Sequence, residues 1–198
     1  EGRPKVTAQD IENMVARAAE LAARPGHYAT DQLNNPYIIP DHRDNLGREI
    51  WEQTAGRVTA FCHGMGTASS VIGVSDALKP HGVFIQAHEP ASSAAIGGGE
   101  RGPFLIQGWT GIVMPHWDAD KVDHLEPIGD DEAVEMTLRL SREEGVFAGI
   151  STGANVVGEL EARPGVGHSG LQAVFLACSA LREEAFLQDH GAAGFHAG

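Results

Sequence analysis

The chain has 198 residues, of which 42% are hydrophobic and 21% are charged, and this composition excludes wholesale disorder. Its formal net charge of −13 argues against an electrostatic grip on nucleic acid or on an anionic membrane surface. No apolar run reaches the roughly 20 residues needed to cross a bilayer, and two cysteines are too few for a disulfide framework, so we expect a soluble, cytoplasmic protein.

The first predicted element is an amphipathic helix over about residues 7–24. Thr7 and Asp10 have the spacing of a capping box, and apolar residues follow at helical intervals. This helix follows Glu1 almost at once, so we expect the chain to be the interior of a longer fold or a processed product. Three segments are predicted next: a β-like stretch (27–33), a loop rich in Asn, Pro and Asp (34–45) and a short helix (48–56).

The centre of the chain has the pattern of a parallel α/β unit. A strand, VTAFCHG (58–64), a helix over about residues 68–79 and a strand, VFIQAHEP (83–90), follow one another. A long glycine-rich segment comes next, and such segments are usually functional or mobile. The remaining predicted elements are a strand (121–128), a helix (130–145), a strand (146–151), a helix (151–162) and a strand (171–179).

This order of elements predicts the fold class. We expect a doubly wound, mostly parallel α/β sheet with flanking helices over residues 1–185, followed by a disordered tail over residues 186–198. In such a sheet the ligand crevice lies at the carboxyl ends of the strands.

A glycine turn, GMGTASS (64–70), stands at such a strand end and leads into a helix. The unpaired amides and the positive dipole of a helix N-terminus make this a ready site for an anion. The turn lacks the Gly-Lys pair of a nucleoside triphosphate loop, so it favours a monophosphate; the alternative is a tight turn whose hydroxyls only cap the helix. The candidate phosphate-binding residues are Gly64, Gly66, Thr67, Ala68, Ser69 and Ser70.

Several segments together carry a family resemblance. ISTGAN (150–155), NPYIIPDHRDNLGREIW (35–51) and AHEP (87–90) occur in the same order as similar motifs of the cysteine synthase and cystathionine β-synthase family. This is the family of fold-type II pyridoxal phosphate-dependent enzymes. The resemblance covers roughly residues 1–160 and only the C-terminal part of the family pattern, which implies a tryptophan synthase β-like large domain, incomplete at its N-terminus.

The resemblance implies a cofactor, a reaction and a set of site residues. The glycine turn corresponds to the loop for the phosphate of pyridoxal 5′-phosphate, and Ser151 corresponds to the residue at its pyridine nitrogen. A neutral hydroxyl there suits β-replacement or β-elimination on a serine-derived amino acid, although Ser151 alone is also typical of a helix N-cap. The substrate-side wall would contain Gln107, Gly108, Trp109 and Thr110, in a segment that differs from the family's GIGAGF.

Departures from the family pattern bear on activity. The family's Schiff-base lysine and its loop for the substrate carboxylate precede the region that matches Glu1, and Lys5, Lys79 and Lys121 lie in no matching motif. We therefore predict no catalytic residue in this chain and no turnover by the chain alone. Ala68 and Ser69 also add side chains where the family loop has glycines.

Three hypotheses follow for the whole protein. The chain is part of a cysteine synthase-like enzyme that forms a homodimer or joins a complementing N-terminal half; it is a non-catalytic pseudoenzyme or regulatory module of the same fold; or it is another α/β phosphate binder. An upstream lysine motif favours the first, a start codon near Glu1 favours the second, and no preference for pyridoxal phosphate over other monophosphates favours the third.

Other polar residues give weaker predictions. We expect no metal site, because the cluster of His116, Asp118, Asp120 and His124 is more typical of a solvated acidic turn. Cys62 is predicted to be buried and inert within its strand.

Overall fold

The computed structural model describes residues 5–161 and 173–175 of the chain. Its α-helices are α1 (Ala8–Ala22), α2 (Ile38–Asp41), α3 (Arg48–Gln53), α4 (Ser69–Leu78), α5 (Asp130–Glu143) and α6 (Ile150–Glu161). Its strands are β1 (Ala60–Gly64), β2 (Phe84–Pro90), β3 (His124–Ile128) and β4 (Ala173–Phe175). A π-helical segment (His42–Gly47) joins α2 to α3, and short 3-10 turns cover Lys79–His81, Ala91–Ser93 and Ala119–Lys121.

The strands form one sheet in the order β3-β2-β1-β4, and every pair in it is parallel. Cys62 of β1 pairs with Gln86 of β2, which in turn pairs with His124 of β3. All four strands therefore end at the same side of the sheet, which we call the carboxyl edge. The predicted doubly wound, parallel α/β architecture is confirmed.

The two faces of the sheet are covered by different helices. Phe61 of β1 belongs to a buried apolar cluster with the side chains of α4 and with partly buried residues of the 38–53 helical stretch. Gly64 of the same strand faces Trp109, which belongs to a second cluster with α5 and α6. The alternation of side chains along β1 thus separates two cores. Within the described residues, no helix combines the length and apolar character that a membrane span requires.

Helix α1 lies at the margin of the domain. The predicted capping box is present: the amide of Thr7 donates to Oδ2 of Asp10 at 2.8 Å, and the amide of Asp10 donates to Oγ1 of Thr7 at 3.3 Å. No side chain of α1 is buried, and Met14 and Val15 are 55% and 38% exposed. Among the described residues, the apolar face that the sequence shows is therefore only partly covered.

Three predicted elements are wrong. Residues 27–33 form no strand, and the predicted loop at 34–45 contains α2 and most of the π-helical segment, so its prolines and asparagines only begin the helical stretch. Residues 146–149 form no strand either, because the chain passes from α5 through a short loop directly into α6. Most of the predicted strand at 171–179 and the whole predicted tail lie outside the described residues.

Candidate cofactor site

The glycine turn (64–70) occupies the carboxyl edge of the sheet between β1 and α4. The amide of Met65 donates to the carbonyl of His88 at 2.9 Å, so the turn stays attached to β2 beyond the end of β1. Ala68, the residue before α4, has φ 70° and ψ −18°, a left-handed conformation that favours glycine. The turn therefore places a backbone shape suited to glycine directly at a helix N-terminus.

The amides of this turn are free to bind an anion. Among the described residues, the amides of Gly66, Thr67, Ala68 and Ser70 have no hydrogen-bond acceptor. The hydroxyls of Thr67 and Ser69 lie 2.6 Å apart and bind each other. Since these amides stand at the positive end of the α4 dipole, the turn has the chemistry of a phosphate site held by backbone groups.

Close contacts explain where the turn needs glycine. A Cβ built on Gly66 would lie 3.0 Å from the carbonyl oxygen of Gly108, so this residue has little room for a side chain. A Cβ on Gly64 would fall within 2 Å of the Trp109 indole, which therefore packs directly against the backbone of β1.

The predicted substrate-side wall divides into three parts. Gln107 and Gly108 are exposed. Trp109 is only 4% exposed and belongs to the core between the sheet and α6. Thr110 is also buried, and its hydroxyl donates to the carbonyl of Gly66 at 3.1 Å. Thr110 is thus a wall residue that forms hydrogen bonds with the glycine turn.

Ser151 lies in the first turn of α6 and is half-buried. Further along this helix, Asn155 contacts His88 near the end of β2, and Gly158 contacts Gln86 two residues earlier in the strand. Helix α6 therefore runs antiparallel to β2, and its first turn lies at the carboxyl edge. Ser151 and the glycine turn are therefore at the same edge of the sheet.

A buried network that the sequence did not predict holds α6 in this position. His88 is fully buried; its Nδ1 lies 3.2 Å from Oδ1 of Asn155, and its Nε2 lies 3.1 Å from Nε2 of Gln86. The same Gln86 nitrogen donates to the carbonyl of Gly158 at 2.7 Å. Since an amide nitrogen only donates, His88 accepts at Nε2 and donates from Nδ1, which is the arrangement of a neutral imidazole.

Burial fixes this charge state. It lowers the pKa of His88 to about 4, while the hydrogen bond to Asn155 acts in the opposite direction. A Cβ on Gly158 would lie 2.4 Å from Nε2 of His88, so the imidazole packs directly on the α6 backbone. These residues are far apart in the sequence and meet only in the folded chain, so no local sequence motif predicts their contacts.

Glu89 follows His88 and anchors the long loop after β2. Its buried carboxylate accepts hydrogen bonds from the amides of Ile96 at 2.8 Å and Gly97 at 3.0 Å. Burial raises the pKa of this carboxyl group, and the two amide bonds partly oppose that effect. Glu89 thus supports the loop that leads towards the wall segment.

The other candidate side chains have separate partners. His116 lies 3.2 Å from the carbonyl of Gln32, and His124 lies 2.6 Å from a carboxylate oxygen of Glu126. Residues 5–161 and 173–175 contain no group of three or more potential metal ligands. The predicted burial of Cys62 is confirmed, and this burial raises the pKa of its thiol to about 12.

All three lysines of the chain form ion pairs. Lys79 binds Asp123 at 2.9 Å and Lys121 binds Asp76, both at the amino edge of the sheet, opposite the glycine turn. Lys5 pairs with Asp130 at 3.6 Å, at the start of α5. No lysine is therefore seen in contact with the glycine turn in the part of the chain that the structure describes.

Comparisons with known proteins agree with this geometry. The family model described as "Pyridoxal-phosphate dependent enzyme" matches residues 3–179. Cysteine synthase 3 of Caenorhabditis elegans is 39% identical over 145 residues, which are 71% of this chain and 43% of that protein. Cysteine synthase of Staphylococcus aureus is 32% identical over 158 residues, covering 78% of this chain and 51% of that protein.

A solved structure gives the same result for the fold. O-acetyl serine sulfhydrylase isoform 3 of Entamoeba histolytica superimposes with a TM-score of 0.79 at 31% identity, covering 88% of this chain and 54% of that chain. The chain thus spans about half the length of the curated relatives it matches.

Proposed function

The chain belongs to the pyridoxal-phosphate dependent enzyme family, among relatives that are cysteine synthases, and from this premise we propose that it supplies the phosphate-binding part of a pyridoxal phosphate site. The glycine turn (64–70) binds the phosphate, and Ser151 lies at the pyridine nitrogen. The observation that carries the proposal is the set of free amides at the start of α4, at the same sheet edge as Ser151.

The residues of the glycine turn suit a phosphate monoester. Amides of residues 66–68 and Ser70 can donate to several phosphate oxygens at once, and the α4 dipole stabilises their negative charge. Binding by amides rather than by lysine also suits a chain with a net charge of −13, because no basic surface is required.

The hydroxyl of Ser151 favours one class of reaction. Pyridoxal phosphate, when bound, supplies an electron sink for an amino acid, and the group at its ring nitrogen sets the strength of that sink. Ser151 is neutral and can donate a hydrogen bond without protonating the nitrogen, whereas a carboxylate would hold it protonated. We therefore propose β-replacement or β-elimination on a serine-derived amino acid as the reaction of the complete protein.

The amine that holds the cofactor covalently is proposed to lie outside these 198 residues. Lys79 and Lys121 are paired at the opposite edge of the sheet, and Lys5 is paired with Asp130. A complementing N-terminal half is the partner that fits this arrangement. The ion pairs equally favour a second candidate, a non-catalytic member of the same fold that binds the cofactor without reacting.

A titration of the full chain with pyridoxal phosphate tests this proposal. We expect saturable binding that inorganic phosphate displaces, and no mass increase after borohydride reduction, because no lysine adjoins the site. A stable adduct on Lys5, Lys79 or Lys121 would contradict the proposed origin of the amine. Absence of binding would contradict the cofactor site itself.

A complementation assay separates the two candidates. The full chain is mixed with the N-terminal half of a cysteine synthase, and β-replacement on O-acetylserine is followed. Activity that appears only in the mixture supports the enzyme, whereas cofactor binding without activity supports the non-catalytic module.

A further inference from the structure

Thr110 makes two hydrogen bonds to consecutive carbonyls of the glycine turn. Its amide donates to the carbonyl of Met65 at 3.1 Å, and its hydroxyl donates to the carbonyl of Gly66 at 3.1 Å. The residue is 9% exposed, so these bonds are largely shielded from water.

Because the peptide bond is planar, these contacts also determine the direction of the neighbouring amides. In a trans peptide the carbonyl points away from the amide hydrogen of the next residue, and the described chain contains no cis peptide. Since the carbonyls of Met65 and Gly66 both face Thr110, the amides of Gly66 and Thr67 both face away from it. Two successive amides on the same side form a concave anion-binding surface, or nest.

These two amides have no acceptor among the described residues. No hydrogen bond of their own therefore fixes the direction of these amides. Their direction depends on the contacts that hold the carbonyls of Met65 and Gly66, which belong to the same two peptide units. Thr110 supplies that restraint on the wall side, while the bond between Thr67 and Ser69 supports the other end of the turn.

We propose that Thr110 is a positioning residue of the phosphate site, which fixes the amides of Gly66 and Thr67 in the direction that an anion needs. The inference rests on the proposed function for its ligand, but the orientation of the two amides is a property of the free protein. Thr110 thereby has a role in binding without itself contacting the phosphate.

Substitution at Thr110 tests the role of the hydroxyl. Thr110→Val keeps the shape and removes the donor to Gly66, and Thr110→Ser restores it. Ser75→Ala is the matched control, because the Ser75 hydroxyl is also buried and donates to the carbonyl of Lys121 at 2.6 Å, at the opposite edge of the sheet.

Affinity is measured by calorimetry with inorganic phosphate and with pyridoxal phosphate as probes. We expect Thr110→Val to weaken the binding of both by about fivefold, the equivalent of one typical net hydrogen bond. Thr110→Ser should recover most of this loss, and Ser75→Ala should leave both affinities unchanged while lowering the melting temperature.

Amide ¹⁵N relaxation of the free protein provides the second readout. In Thr110→Val the order parameters of Gly66 and Thr67 should fall from about 0.85, the value of rigid backbone, towards about 0.6, and the amides of α4 should stay rigid. Ser75→Ala should not change Gly66 or Thr67, which separates local positioning from general loss of stability.

Each outcome decides the inference. If the unsubstituted chain binds phosphate and Thr110→Val binds it equally well with unchanged order parameters, the inference is overturned and the proposed function stands. If the unsubstituted chain binds neither probe, the proposed function fails; the relaxation data then support the positioning role when the two amides alone lose order, and refute it when they do not.

Discussion

Acid should destabilise this fold through the buried imidazole of His88. The unfolded chain binds a proton at the ordinary histidine pKa of about 6.5, whereas burial lowers the folded pKa to about 4. The unfolded state therefore binds the proton more tightly, so stability is full above pH 6.5 and is lost as pH falls towards 4. For this one group the loss is about 2 kcal/mol at pH 5 and about 3 kcal/mol below pH 4.

His88→Asn removes the titrating group and keeps a donor for Asn155. Urea unfolding at pH 7 and pH 5 should show that the variant loses about 2 kcal/mol less stability between the two pH values than the unsubstituted chain. The variant is also less stable at pH 7, because a smaller side chain leaves space against Gly158. His27→Asn is the control, since it removes an exposed imidazole.

The same pH dependence in His88→Asn and in the unsubstituted chain would refute this reasoning. The carboxyl of Glu89 cannot produce the expected loss, because its raised pKa means that its own contribution to stability increases as pH falls.

Two substitutions in the proposed cofactor site have separate expected effects. Ala68→Gly relieves left-handed strain of about 1–2 kcal/mol and removes a buried methyl worth about 0.8 kcal/mol, so the free energy of unfolding should rise by at most about 1 kcal/mol. Any fall in the free energy of unfolding, measured with urea, would contradict the strain argument. Ser151→Ala should weaken the binding of pyridoxal phosphate by about fivefold and leave the binding of inorganic phosphate unchanged, as measured by calorimetry. Equal weakening of both ligands would contradict a role at the ring nitrogen.

The central strand–helix–strand unit could be predicted because local patterns determine it. VTAFCHG and VFIQAHEP are short apolar segments bounded by turn residues, and the segment between them has a helical period. Both strands and α4 occur within two residues of their predicted limits. The parallel sheet followed from the same pattern.

The wrong predictions arose where local signals compete with tertiary packing. In the loop predicted at 34–45, prolines and asparagines favour irregular structure, yet Ile39 and Leu46 pack on the core beside α4 and stabilise helix instead. At 146–151 the apolar letters suggest a strand, but Val146 and Phe147 are 43% and 61% exposed. Because these two side chains do not pack in the core, the apolar run does not indicate a buried strand.

The glycine turn and Ser151 could be proposed from the sequence because each belongs to a contiguous motif. The contacts of Thr110 with Gly66 and of His88 with Asn155 could not, because each joins residues at least 44 positions apart. Such pairs depend on the register of the sheet and on the position of α6, neither of which a local pattern encodes.

Amide shift mapping of the full, ¹⁵N-labelled chain with pyridoxal phosphate tests the central claim most directly. We predict that the amides of residues 66–70 and of Ser151 shift together, with one dissociation constant, because both segments lie at the carboxyl edge of the sheet. Shifts confined to the ends of the sheet near Lys79 and Lys121, or the absence of any shift at the glycine turn, would contradict the proposed cofactor site.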